Sequence, residues 1–336
     1  MELTSTEVKP LPFTPKSGQR NTYPLPLSGL DGANPLAFLA ALGTLVVCDE
    51  LSRSGKSPAW LTDPVALSWG AADFPYTPVL HLSAAPPSPS EFTDFLSDQL
   101  ARSPAEHPAS WVIDMLDSEE DDLVERIRRC CRNCCPSDRP RLDWVTALAC
   151  ESVPDGASQL QTVRQDYLLG NLRSIMQRTT ADHLLRSLFV LWDYTDALDN
   201  QSLHWEPSED RRHAYQWHMP SGDPTRKRRG GMLGANRLAL EAWPLFPSFP
   251  AGKSIERLAT RGFTGTRASE TFWTWPLWNQ PLTKDAVMSI LGIPDLQQDE
   301  KKSPVSLDKF GVVTVFRVQR ILVGKTPNFT TTMAIA

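Results

Sequence analysis

The stretch Asp31-Gly32-Ala33-Asn34-Pro35-Leu36-Ala37-Phe38-Leu39-Ala40-Ala41-Leu42-Gly43-Thr44-Leu45-Val46-Val47-Cys48-Asp49-Glu50-Leu51 decides how the chain is organised. Asn34 is a strong N-cap, and Pro35 suits the first helical position, where its missing N–H costs nothing. The run that follows is apolar on nearly every face, which predicts a helix buried on most sides. Leu51-Ser-Arg-Ser-Gly55 ends it.

On the N-terminal side, Tyr23-Pro-Leu-Pro-Leu-Ser-Gly-Leu30 reads as a short extended segment that Pro24 and Pro26 confine to a sheet edge. On the C-terminal side, strands are expected at 65–69 and 78–82, a helix at 90–102 and a strand at 110–115. The order strand, helix, strand, strand, helix, strand is that of a split β-α-β, ferredoxin-like unit, a common platform in RNA-binding proteins. The fold class is therefore α+β. Residues 1–21 are a flexible arm and 22–117 the ferredoxin-like part. A helical part follows over 118–199, then an irregular, Trp/Arg/Pro-rich part with C-terminal strands over 200–325, then a tail over 326–336.

The chain has 336 residues and a net charge of −5, and the charge is uneven. Residues 1–150 hold 12 Lys and Arg against 20 Asp and Glu, whereas 151–336 hold 22 against 19. That places polyanion contacts in the second half and a protein neighbour on the first. No run of 18 apolar residues occurs, and the first twenty residues lack an apolar secretory core. The expected location is the cytoplasm, with no membrane partner.

Four of the six cysteines are Cys130, Cys131, Cys134 and Cys135. Cys131-x-x-Cys134 has zinc-like spacing, but no second Cys or His pair stands at similar spacing, so the cluster reads as apolar packing at a helix end. No metal or cofactor is assigned.

The densest chemistry lies in Asp210-Arg211-Arg212-His213-Ala214-Tyr215-Gln216-Trp217-His218, then Arg226-Lys227-Arg228-Arg229-Gly230-Gly231, then Gly234-Ala235-Asn236-Arg237. Basic side chains release counterions along a phosphate backbone, and interleaved aromatics offer faces for bases to stack on. Arg211, Arg212, His213, Tyr215, Gln216, Trp217, Arg226, Lys227, Arg228, Arg229, Asn236, Arg237 and the more distant Arg267 are the candidate nucleic-acid contacts. Thr271-Phe-Trp273-Thr-Trp275-Pro-Leu-Trp278 is either an aromatic core or a partner or nucleic-acid surface. Catalytic patterns are thin: His204, His213 and His218 lie near Glu206, Glu209 and Asp210, but in no nuclease spacing. No catalytic residue is assigned. The enzymatic alternative is a metal-independent ribonuclease built on His213 with Tyr215 or Lys227.

Several blocks together resemble a known family. Leu30-Asp-Gly-Ala-Asn-Pro-Leu-Ala-Phe-Leu-Ala-Ala-Leu-Gly43 is similar to the opening of small CRISPR-associated proteins of the Csb group, from subtype I-U (also called I-G) systems. Asp210–Trp217, Gly234–Phe246, Phe272–Trp278 and Gly311-Val-Val-Thr-Val-Phe-Arg317 look like further family blocks. They span about 27 to 325 in order. The resemblance implies a non-catalytic subunit of a type I, Cascade-like interference complex. It would be large-subunit-like, contacting crRNA and target DNA beside other Cascade subunits and helping to recruit the helicase-nuclease. A repeat-associated (RAMP) crRNA-binding backbone role and guide-RNA processing are the alternatives. In such complexes base pairing reads sequence while protein supplies shape and charge.

Overall fold

Asn34 opens the first helix, α1 (Pro35–Arg53), as the sequence predicts. Its side-chain oxygen accepts from the Leu36 and Ala37 amides at 2.9 and 3.3 Å, filling two of the donors a helix start leaves open. In the computed structural model, described residues are 22–54, 57–62, 64–70, 75–101, 104–117, 123–132, 135, 138–153, 156–196, 202–206, 231–251, 257–265, 271–297, 307–323 and 326–335.

Strands β1 (Tyr23–Pro26), β2 (Ala66–Trp69) and β3 (Pro78–Leu82) surround α1 in sequence. β1 and β2 each pair antiparallel with β3, in the registers Leu25↔Leu80 and Leu67↔Leu80. They therefore run the same way with β3 between them, so β1-α1-β2 is a β-α-β region split by β3. Leu27 donates to the Pro78 carbonyl at 2.9 Å. By the period-2 alternation of a strand, Pro24 and Pro26 turn their nitrogens to the open edge, which has no amide to offer there.

The protein is a mixed α+β fold, and two expectations are corrected on its strands. Residues 110–115, expected as a strand, lie inside helix α3 (Pro108–Asp117). The reason is local: His107 Nδ1 accepts the Ala109 amide at 3.2 Å, a side-chain cap that starts a helix. The fourth strand of the first sheet is instead β8 (Leu282–Thr283), which pairs with β2, giving the order β1-β3-β2-β8. The expected tail at 326–336 also carries strands, β10 (Thr326–Phe329) and β11 (Met333–Ala334), both paired with β9 (Val312–Val323).

Helix α2 (Pro89–Leu100) opens with a capping box formed by Ser88 and Glu91. The expected helical part contains α4 (Leu123–Arg132), α5 (Arg139–Leu148), α6 (Gln165–Arg178) and α7 (Ala181–Phe189). The part read as irregular is more ordered than expected. It holds α8 (Leu233–Glu241), a β4/β5 hairpin (Ser248–Ala251 and Arg257–Thr260), β6 (Phe263–Thr264) and β7 (Phe272–Trp278). α9 (Lys284–Leu291) follows β8. The second sheet has the order β10-β9-β7-β6.

β7 settles the question of the tryptophan run. Trp273, Trp275 and Trp278 are 0% exposed, so the run is core. The Trp275 and Trp278 indoles donate to the Gly32 and Leu67 carbonyls at 2.9 and 2.7 Å, tying β7 to the turn before α1 and to β2 of the first sheet. Each such ring hides enough area to favour folding by on the order of 4 kcal/mol before entropy is counted. Phe38 of α1 stacks on Trp69 with ring centroids 5.6 Å apart, so helix and sheet share this aromatic cluster.

α1 packs chiefly on α8, and both lie inside the core. At their crossing a side chain on Gly43 would put its Cβ 1.7 Å from the Leu238 carbonyl oxygen, so only glycine permits the approach. Gly234 plays the same part between α8 and α7, where a Cβ would stand 2.2 Å from the His183 carbonyl. α1 is the one described helix long and apolar enough to cross a membrane, and 89% of that stretch is buried inside the fold. Buried Asp49, near its end, pairs with Arg53 at 2.9 Å and with Lys284 at 3.0 Å, fastening α1 to α9.

Candidate nucleic-acid interface

Residues 207–230 lie outside the described residues, and the described stretches on either side of them in sequence, Ser202–Glu206 and Gly231 onward, are both anchored. Ser202–Glu206 is pinned along its length. The Leu203 amide donates to Asn236 Oδ1 at 3.1 Å, the Thr162 hydroxyl donates to the Leu203 carbonyl, and the Trp205 indole donates to the Leu160 carbonyl at 2.8 Å. Glu206 accepts from Asn34 Nδ2 at 3.3 Å. The residue that caps α1 thus also holds the stretch that precedes the basic segment in sequence.

The stretch that follows it is held by Asp196. Its backbone exchanges two hydrogen bonds with Gly231, at 3.2 and 2.8 Å, in an isolated antiparallel bridge. Its carboxylate accepts the Leu233 amide at 2.7 Å, at the start of α8, where a negative charge complements the helix dipole. Arg186 of α7 pairs with Asp196 and also reaches Asp193, at 2.6 Å, and the Thr195 hydroxyl. Burial opposes the charge on Arg186, but the bonds to Asp193 and Asp196 outweigh it and hold the guanidinium above its ordinary pKa. His183 lies 3.8 Å from Asp196. The described residues on either side of the basic, aromatic stretch thus form a braced neck.

Arg211, Arg212, His213, Tyr215, Gln216, Trp217, Arg226, Lys227, Arg228, Arg229 and Arg267 lie outside the described residues. Asn236 and Arg237 are described, and the expectation of a surface role for them is corrected. Asn236 is 1% exposed, and besides holding Leu203 it donates to the Met232 carbonyl at 2.9 Å. Arg237 is 2% exposed and pairs with Glu241 one turn on. Glu241 also accepts from His107 Nε2 at 3.0 Å. Burial would raise the Glu241 pKa, but the Arg237 charge and then His107 overcome it, keeping the carboxyl well below the usual range. Position beside a basic run suggested exposure; a carboxylate at i+4 on the same helix was the signal for an internal pair.

Arg237 stands between a cavity of about 90 Å³, lined by Glu50, His107 and Glu241 among others, and one of about 270 Å³, lined by Ser97, Gln177 and Thr179 among others. His107 spends Nε2 on Glu241 and Nδ1 on the Ala109 amide, which fixes its ring orientation. Among the described residues, no group of three or more His, Cys, Asp and Glu side chains is placed to hold a metal ion. In the cysteine cluster, Cys130 packs 4.0 Å from the Met115 sulfur, and exposed Cys135 lies against Asp138. One basic surface that the sequence reading passed over lies on α4, where Arg128, Arg129 and Arg132 are exposed.

No family model, curated protein or solved structure matches this chain.

Proposed function

We propose that the chain is a non-catalytic, nucleic-acid-contacting subunit of a type I CRISPR interference complex, of the kind its Csb-like sequence blocks resemble. It works in the cytoplasm, bound to crRNA and target DNA, to other Cascade subunits and to the helicase-nuclease they recruit. The observation that carries this reading is the braced neck. The Asp196–Gly231 bridge and the pinned 202–206 stretch rigidly flank a 24-residue segment, 207–230, which has six Lys and Arg against three Asp and Glu, together with Tyr215 and Trp217. Anchoring both ends lowers the entropy lost when such a segment closes on a strand of nucleic acid. Phosphates would be met by Arg226–Arg229, bases by Tyr215 and Trp217.

The split β-α-β region, with β3 between β1 and β2, favours a second form of the same reading. In it the first sheet is a ferredoxin-like platform whose closing strand has been replaced, and the chain is a RAMP-type crRNA-binding backbone. Co-expression of the tagged chain with the other subunits, followed by mass and RNA analysis of what purifies, tests both. A multi-subunit particle carrying guide RNA is expected. Recovery of the chain alone with RNA cut at its repeats, and loss of cutting in His213→Ala, would replace the reading with a ribonuclease.

A further inference from the structure

α4 meets the fold along one thin stripe. Ile127 is buried, and Leu123 and Cys130 pack beside it against the core. These positions share a helix face, which sends Arg128, Arg129 and Arg132 outward. Arg126 is spent differently, donating to the Met115 carbonyl at 2.5 Å and tying α4 to α3. At the start of α5, Arg139 is exposed, and the Arg141 guanidinium lies 5.3 Å over the half-buried Trp111 ring. Over 123–143 there are six arginines, no lysine and three acidic residues.

The carboxylates beside these arginines are themselves exposed. Arg128 pairs with Glu151 at 3.2 Å, Arg132 with Glu125 at 3.3 Å and Arg139 with Asp143 at 2.6 Å, every side chain more than a third exposed. Exposed pairs of this kind are weak and screened by salt, so an arriving phosphate can take the carboxylate's place. The exclusive use of arginine suits bidentate phosphate recognition. Arg128 and Arg132 stand four residues apart, about 6 Å along the axis, and can grip phosphates along one strand. The Arg141–Trp111 stack adds a planar platform of the sort unpaired bases use. An acidic polypeptide would match the charge but has no use for that platform.

We infer that the α4–α5 face, carried by Arg128, Arg129, Arg132 and Arg139, is a second phosphate-backbone contact surface, built on different elements from the 207–230 segment. It deepens the proposed role and rests on it only in the choice of ligand. Five acidic residues, Asp117, Glu119, Glu120, Asp121 and Asp122, come directly before α4 in sequence and oppose binding there.

The test measures binding of the purified full chain to labelled single-stranded RNA, single-stranded DNA and duplex DNA of equal length across a salt series. The tightest of the three identifies the source of the phosphates. Arg128→Gln/Arg129→Gln/Arg132→Gln should keep the thermal unfolding curve, weaken binding about tenfold at low salt and lower the log–log salt slope by about 2 to 3. Glu119→Gln/Glu120→Gln/Asp121→Asn/Asp122→Asn should tighten it. An unchanged slope in the arginine variant, with the wild type binding and Arg226–Arg229→Ala losing slope, overturns this surface and leaves the segment. Displacement by poly-glutamate as effective as by unlabelled nucleic acid overturns it in favour of an acidic protein partner. No binding by the wild type to any of the three removes both.

Discussion

α8 and α4 are helices of nearly equal length, nine and ten residues, and both carry arginine, yet they use it in opposite ways. In α8, Arg237 is sealed beside Glu241 and His107 between other helices. In α4, Arg128 and Arg132 keep side-chain exposures of 45% and 64% and pair with carboxylates that also face water. A sealed arginine cannot trade its carboxylate for a phosphate without leaving a buried charge behind. An exposed one trades at almost no cost. Charge near a basic run is therefore a poor guide to binding; what decides it is whether the counter-charge is exchangeable.

The comparison can be broken hardest at the α1–α8 crossing, because everything buried in α8 depends on it. Gly43→Ala should destabilise the fold by more than about 4 kcal/mol, since no rotamer relieves a backbone clash; urea unfolding followed by circular dichroism reads this directly. Next comes Arg237→Met, which strands Glu241 and should cost about 3 to 5 kcal/mol, while Arg237→Met/Glu241→Leu regains most of the loss. A double variant no more stable than the single would mean the pair is not self-contained.

A third change acts on the sheet that α1 covers. His81 is 4% exposed, lies 2.8 Å from the Ser68 hydroxyl, and burial pushes its pKa down to about 4. A depressed folded value means that stability is fully present above about pH 6.5 and is lost as the pH falls toward 4. The loss is on the order of 3 kcal/mol at most. Thermal unfolding across that window should show the slope, and His81→Gln should flatten it. The smallest effect sharpens the contrast: Arg132→Ala should change stability by less than about 0.5 kcal/mol, measured in the same urea assay, while still weakening nucleic-acid binding.

How much of this was legible follows from the same physics. α1 could be read at once because Asn34 and Pro35 announce it and its apolar residues leave no wet face. β2, β3 and β9 stood out by composition. The strand expected at 110–115 failed because Val112 and Ile113 look β-forming in isolation, whereas a histidine cap at 107 is not among the usual helix signals. β8 was invisible, being two residues whose pairing with β2 is a matter of tertiary approach. Among the candidate contacts, Asn236 and Arg237 were misplaced because proximity in sequence to Arg226–Arg229 outweighed the i+4 glutamate. The α4 arginines were overlooked because a balance taken over 150 residues averaged them against the acidic run beside them.

The pairing of α1 with α8 also sets a timetable. α8 begins about 180 residues after α1 ends, which at ordinary synthesis rates of about 5–20 residues per second is a wait of roughly ten to forty seconds. During that interval the one described helix long and apolar enough to cross a membrane has been made and its principal cover has not. Contacts of such sequence separation form slowly even in a finished chain. A nascent or truncated chain that stops before Leu233 would thus display α1 to chaperones, or to other copies of itself, and the yield of this protein in a cell depends on how that interval is bridged.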